Sequence, residues 1–153
     1  FLFLFILLII IIVSFFFIVP KFINKQIDPF YLEEEYYNSS SLEEIDIDSL
    51  KTMLDEKKNF AVFVYQPMCV TSQEFNDVLN EFQQKHQITF YKISFSALTK
   101  ANMADPIKYY PSFIIYKEGK SVDFLEADKE EDTKYYQNVE DFEDWFMQYV
   151  LLK

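Results

Sequence analysis

The sequence predicts an α/β fold: a central mixed β-sheet flanked by helices, preceded by one N-terminal transmembrane helix. Three observations carry this. Strand-like and helix-like segments alternate through the middle of the chain, which calls for parallel pairing with right-handed crossovers. A hairpin followed by a helix closes the chain and adds an antiparallel edge. Residues 1–19 are almost unbroken Leu, Ile, Phe and Val, with Ser14 the one polar side chain.

The apolar stretch comes first. As a helix it spans roughly 28 Å, close to the ~30 Å hydrocarbon thickness of a bilayer. A core helix would carry a polar face, and none is present. A cleaved signal peptide is the competing reading. Its apolar stretch is usually only ~7–15 residues long and ends at a small-residue site. Here the run ends in Val19-Pro20-Lys21, so a retained single-pass anchor is favoured. Residues 20–44 follow as a stalk, with Pro20, Pro29, an acidic Glu33-Glu34-Glu35 run and Asn38-Ser39-Ser40-Ser41. No period is visible, which predicts an extended or disordered linker.

The globular domain is expected over residues 45–153. Asp48 is placed to cap a helix carrying Ile47, Leu50 and Leu54 on one face, stopped at Lys57-Lys58-Asn59. Phe60 to Tyr65 is a continuous apolar run with β-branched and aromatic residues, the pattern of a strand buried on both faces. Gln66-Pro67-Met68 breaks it. Phe75, Val78, Leu79 and Phe82 then recur at helical spacing. Ile88 to Phe95 reads as a second strand, Ser96 to Ala104 as a short helical or irregular crossover, and Pro111 to Tyr116 as a third strand. Lys117-Glu118-Gly119-Lys120 makes a tight turn in which Gly119 supplies the positive φ, and Ser121 to Leu125 is the hairpin partner. Ala127 to Asn138 is a charged loop. Val139, Phe142, Phe146, Tyr149 and Val150 form a last amphipathic helix, with Trp145 alongside.

Composition excludes several functions. The net charge is −11, which disfavours nucleic acid, whose partners need basic stripes. One Cys and one His are too few for a zinc site built on soft ligands. One Gly rules out a glycine-rich phosphate loop. His86 lies in the polar run Gln83-Gln84-Lys85-His86-Gln87, where a solvent-facing side chain is expected rather than a catalytic base. The acidic residues from Glu126 to Asp132 lack the spacing and turn glycine of a calcium loop. Cys69 is left as the one group with chemistry of its own.

The order of elements, with three landmarks, resembles the thioredoxin family over about Ile45 to Val150. The landmarks are the buried strand Phe60–Tyr65 leading to Cys69-Val70-Thr71-Ser72 at a helix start, Tyr110-Pro111-Ser112 before a strand ending in Lys117-Glu118-Gly119-Lys120, and the final amphipathic helix. The resemblance implies that Pro111 is a cis-proline beside the site, and that Tyr110 and Pro111 line a groove for extended peptide; Met68, beside the cysteine, is either part of an apolar contact surface for the substrate or simply half-buried. It implies no cofactor and no metal. The family's motif is C-x-x-C. Cys69 matches its attacking cysteine, but Ser72 stands where the resolving cysteine would be. Met68 replaces the usual Trp, and the buried acid of the family falls at Phe63. Lys92 matches a lysine often found near that acid.

A thiol at a helix N-terminus faces unpaired N–H groups and the positive end of the dipole, which favours thiolate. One thiolate can form a mixed disulfide but cannot resolve it. Two functions therefore remain open: monothiol thiol–disulfide exchange through Cys69, with Ser72 assisting, on a protein or small-molecule thiol or disulfide, or a non-catalytic binding module for a peptide or membrane-protein partner. A buried, inert Cys69 is the plain alternative. Topology also stays open. Lys21 and Lys25 favour a cytoplasmic domain by the positive-inside rule, whereas family analogy favours the extracytoplasmic side.

Overall fold

The computed structural model describes residues 27–153. The transmembrane helix expected over residues 1–19 lies outside them. Among the described residues, no helix is long and apolar enough to cross a membrane.

The chain runs β1 (Ser41–Glu44), α1 (Ile47–Asp55), β2 (Phe60–Tyr65), α2 (Val70–His86), β3 (Thr89–Ser94), α3 (Phe95–Lys100), β4 (Ser112–Lys117), β5 (Lys120–Glu126) and α4 (Val139–Phe146). The strands form one mixed sheet in the order β1-β3-β2-β4-β5. β3 pairs in parallel with both β1 and β2, while β4 is antiparallel to β2 and β5. β2 is the central strand, and Phe60 through Val64 are all buried, as a strand covered on both faces must be.

Alternation along the strands sends two sets of side chains to two layers. Phe63, Phe90 and Phe113 face α2 and α4. There they meet Phe75, Phe82, Phe142 and Phe146 in a network of mostly edge-to-face rings, with Phe63–Phe75 at 5.4 Å and Phe113–Phe142 at 5.1 Å. Each such pair adds ~0.5–1.5 kcal/mol beyond the area it buries. On the opposite face Phe60 stacks on Tyr116 at 4.5 Å, and Tyr91 meets Tyr36, whose hydroxyl reaches Met53 Sδ of α1 at 3.6 Å.

Several expectations are corrected here. The stretch read as an extended or disordered stalk is packed on the domain over its described part. Phe30, Leu32, Tyr36 and Tyr37 are buried, and Ser41–Glu44 is a sheet strand. Its aromatic residues are spaced irregularly because they sit on a 3-10 turn (Glu34–Tyr36) and bridges, not on one regular element. The α1 cap is Asp46, whose Oδ1 accepts the Ser49 N–H at 2.8 Å, rather than Asp48, which sits inside the first turn. The charged loop before α4 contains a 3-10 helix, Glu130–Tyr136, that buries Tyr136. His86 is not solvent-facing. It packs on Phe82 at 4.6 Å, and its Nε2 lies 3.2 Å from Glu143 of α4.

The β4–β5 turn follows the sequence closely. Glu118 and Gly119 both have positive φ, at 51° and 71°, the geometry of a tight hairpin turn. Gly119 has a second reason to be glycine. A Cβ there would press into the Leu54 carbonyl at the end of α1.

Candidate thiol site

The site is built where β2 ends. Tyr65 gives way to Gln66-Pro67-Met68, and the Cys69 N–H closes a turn onto the Gln66 carbonyl at 3.2 Å. Proline at the second turn position and a positive φ of 63° at Met68 are the marks of a type II turn. That geometry normally takes glycine at Met68's position. Here it thrusts Met68 outward, leaving it 94% exposed. Cys69 then takes the N-cap position of α2, with extended backbone. The Gln73 N–H bonds its carbonyl at 3.1 Å, so the helix starts directly beneath the sulfur.

Cys69 is half-buried. Partial burial pushes its thiol pKa up. The hydroxyl and N–H of Ser72, with the N–H and hydroxyl of Thr71, outweigh this and hold it below the ordinary value. Ser72 itself is buried, and its Oγ accepts the Gln66 N–H at 3.3 Å. One serine therefore ties the turn before the cysteine to the helix after it.

Pro111 reaches the same end of the sheet through register. Val64 pairs with Ser112 across the β2–β4 ladder, so the Tyr109-Tyr110-Pro111 loop stands beside the Gln66–Cys69 turn. The Tyr110–Pro111 peptide is cis, as the resemblance implies, and so is Asp105–Pro106. Pro111 is buried, while Tyr110 and Tyr109 stay 41% and 49% exposed. The loop is held from three sides. Tyr136 donates its hydroxyl to the Pro111 carbonyl at 3.0 Å, Ser112 Oγ donates to the Tyr109 carbonyl at 2.8 Å, and Tyr110 packs on Phe95 at 5.3 Å. Ser96 Oγ donates to Gln66 Oε1 at 3.0 Å and ties α3 to the cysteine turn.

Met68, Tyr109 and Tyr110, joined by Val70 at 67% exposure, give this end an apolar rim. Val70 and Tyr109 were not singled out in the sequence. Both lie next to residues that were, and their outward placement shows only in the folded chain. Tyr136 gave no signal, because a 3-10 helix has no 3.6-residue period. Behind the turn, Phe63, Tyr65, Ser72, Asn76, Asp77 and Lys92 line a shallow hollow. Phe63 fills the place of the family's acid and is fully buried. Lys92 sits across from it in the β2–β3 ladder, with Nζ 5.3 Å from the Tyr65 ring centre. The Tyr65 hydroxyl donates to Glu44 at 2.5 Å, and burial together with that carboxylate pushes its pKa up to about 12. Among the described residues, no cluster of His, Cys, Asp or Glu is arranged to hold a metal.

The sequence model of the thioredoxin family matches residues 41–140. No curated protein matches the chain. Among solved structures, the reduced thioredoxin pre-protein of Schistosoma mansoni aligns with 72% of this chain and 99% of its own, at a TM-score of 0.53 and 20% identity. A mutant thioredoxin from Halobacterium salinarum aligns with 77% of this chain and 96% of its own, at 0.54 and 13%. The oxidised thioredoxin of Plasmodium falciparum covers 66% and 97%, at 0.50 and 16%. At these identities the likeness is one of fold.

Proposed function

From a chain that belongs to the thioredoxin family, we propose one-sulfur thiol–disulfide exchange through Cys69, carried out by a single-pass protein that residues 1–19 tether to a membrane. The observation that carries the reading is the setting of Cys69. It stands half-exposed at the N-cap of α2, next to the Ser72 and Thr71 hydroxyl and N–H groups that hold its thiol below the ordinary pKa.

The chemistry follows from having one thiol. The Cys69 thiolate attacks one sulfur of a partner disulfide. A bond forms between Cys69 and that sulfur, the disulfide bond breaks, and the other partner sulfur leaves as a thiolate that takes up a proton. No second cysteine exists in the chain to reverse this. A thiolate from outside, on the substrate or on a small molecule, attacks the mixed disulfide and releases Cys69. No net oxidation occurs in a full cycle of this kind, which is isomerisation or transfer rather than dithiol reduction. The rim of Met68, Val70, Tyr109 and Tyr110 would hold the partner segment while the sulfurs exchange.

Phe63 favours a second reading. A phenyl ring at the place of the family's acid cannot relay a proton, and with Ser72 for the resolving cysteine it suits a non-catalytic module that grips a peptide or membrane-protein partner on the same rim.

The alkylation rate of Cys69 against pH, measured in the folded chain, tests the first reading. Exchange predicts fast reaction with a midpoint below the free-thiol value of ~8.5. A thiol that reacts only after denaturation would sink it. Partner binding that survives Cys69→Ser unchanged would establish the second.

A further inference from the structure

We propose that the pole of the domain opposite Cys69 rests on the bilayer surface, with Tyr31 and Leu151 at the lipid–water interface and the sulfur held on the far side. The inference rests on the reading of residues 1–19 as a membrane anchor.

The polarity of the domain comes from hydrogen bonds at the base of β2. The Glu33 N–H bonds the Asn59 carbonyl at 3.1 Å, Asn59 Nδ2 donates to the Tyr31 carbonyl at 3.0 Å, and the Glu118 N–H donates to Asn59 Oδ1 at 2.7 Å. Asn59 precedes the first residue of β2. The C-terminal tail joins the same place: the Leu151 N–H donates to the Phe30 carbonyl at 2.8 Å, and Tyr37 donates its hydroxyl to the Leu151 carbonyl at 2.8 Å. The segment arriving from the N-terminus, the C-terminal tail and the β4–β5 turn therefore share one pole. Cys69 follows the other end of β2, a strand of six residues and about 20 Å in length.

The apolar run ends at Val19, and the chain from there to Ile27 spans less than about 30 Å even when fully extended. The anchor thus attaches the domain at this pole, and Cys69 lies about 20 Å further from the point of attachment, along β2. The pole is also dressed for an interface. Tyr31 is 49% exposed and Leu151 38%, beside each other on the clasp. Tyrosine favours the headgroup level. Lys117, Lys120 and Lys153 have long stems that can lie along lipid while their ammonium groups stay in water. Asp28, Glu33, Glu34 and Glu118 more than balance these lysines, and Lys153 pairs with Glu34. The contact is therefore assigned to a zwitterionic interface and not to attraction by anionic headgroups.

The test uses the full chain in phosphatidylcholine vesicles, with a fluorescent thiol label and lipids carrying a headgroup-level quencher. The native Cys69 is labelled in one sample. In a Cys69→Ser background, Ile10→Cys, Tyr31→Cys, Leu151→Cys and Lys120→Cys are labelled in others. Lys120→Cys lies outside the clasp, so it reports even if the clasp positions perturb packing. The expected result is quenching at 31, 151 and 120 several-fold stronger than at 69, with position 10 quenched as well. Quenching at position 10 with none of the other three exceeding 69 would overturn the orientation while the anchor stands. An unquenched position 10 would overturn the anchor and the orientation together.

Discussion

At the scale of single residues, Ser72 decides most about the sulfur. Its place three positions after Cys69 is where the family keeps a second thiol, yet its hydroxyl and N–H help to hold the Cys69 thiol below its ordinary pKa. Ser72→Ala removes the hydroxyl donor and leaves the Gln66 N–H without its side-chain acceptor. The Cys69 pKa should rise and alkylation at pH 7 should slow several-fold. An unchanged pH profile would show that the helix N–H groups act alone. The same depression links stability to pH. A thiol whose folded pKa lies below its unfolded value of ~8.5 adds stability that is full above the unfolded value and is lost as pH falls through the folded one. Cys69 and Ser72 were both legible in the sequence. The outward turn of Met68 was not, because nothing in Gln66-Pro67-Met68 shows a left-handed methionine in place of the glycine that a type II turn prefers.

At the scale of elements, the C-terminal end of α2 carries two measurable features. Gln87 ends the helix in the left-handed region, at φ 50° and ψ 53°. An L-residue there costs ~1–2 kcal/mol, partly offset by the greater freedom glycine has when unfolded. Gln87→Gly should therefore stabilise the domain by about 0.5–1 kcal/mol in denaturant unfolding, even though it loses the exposed Gln87–Gln84 bond. In the same last turn, Lys85 and His86 both reach Glu143 of α4. Partial burial pushes the Glu143 carboxyl up, but the two basic partners prevail and hold it below its usual pKa. Its contribution is present above the unfolded value of ~4.3 and is lost as pH falls through the folded one. Glu143→Gln should flatten that part of the acid unfolding curve, and a curve of unchanged steepness would assign acid lability elsewhere. The regular elements were readable because their burial is periodic. β2 shows as an unbroken apolar run, and α2 as Phe75, Val78, Leu79 and Phe82. The 3-10 helix under Tyr136 and the 3-10 turn at Tyr36 have no such period; the first falls in the expected charged loop and the second in the expected stalk.

At the scale of the whole molecule, the N-terminal segment acts as part of the domain. Residues 27–44 cross from the C-terminal tail to the far edge of the sheet. On the way they place Phe30, Leu32, Tyr36 and Tyr37 in the core and add β1 beside β3. The sequence hid this because Glu33-Glu34-Glu35 and the serine run mask four buried side chains whose spacing fits neither a helix nor a strand. Burying a large apolar side chain contributes roughly 1.5–3 kcal/mol. Four of them amount to roughly 6–12 kcal/mol before the entropy of ordering the segment is subtracted. Whole domains are stable by only about 5–15 kcal/mol. A chain of residues 27–153 should thus melt cooperatively, whereas residues 45–153 should lose most of their stability or fail to fold. Circular dichroism melts of the two chains decide it. Equal melting temperatures would mean that residues 27–44 merely lie on a core that is complete without them. A collapse confined to the shorter chain would mean that the segment leading from the apolar run is itself the base of the fold, leaving no free stalk between Ile27 and the sheet to let the thiol pole swing toward the membrane.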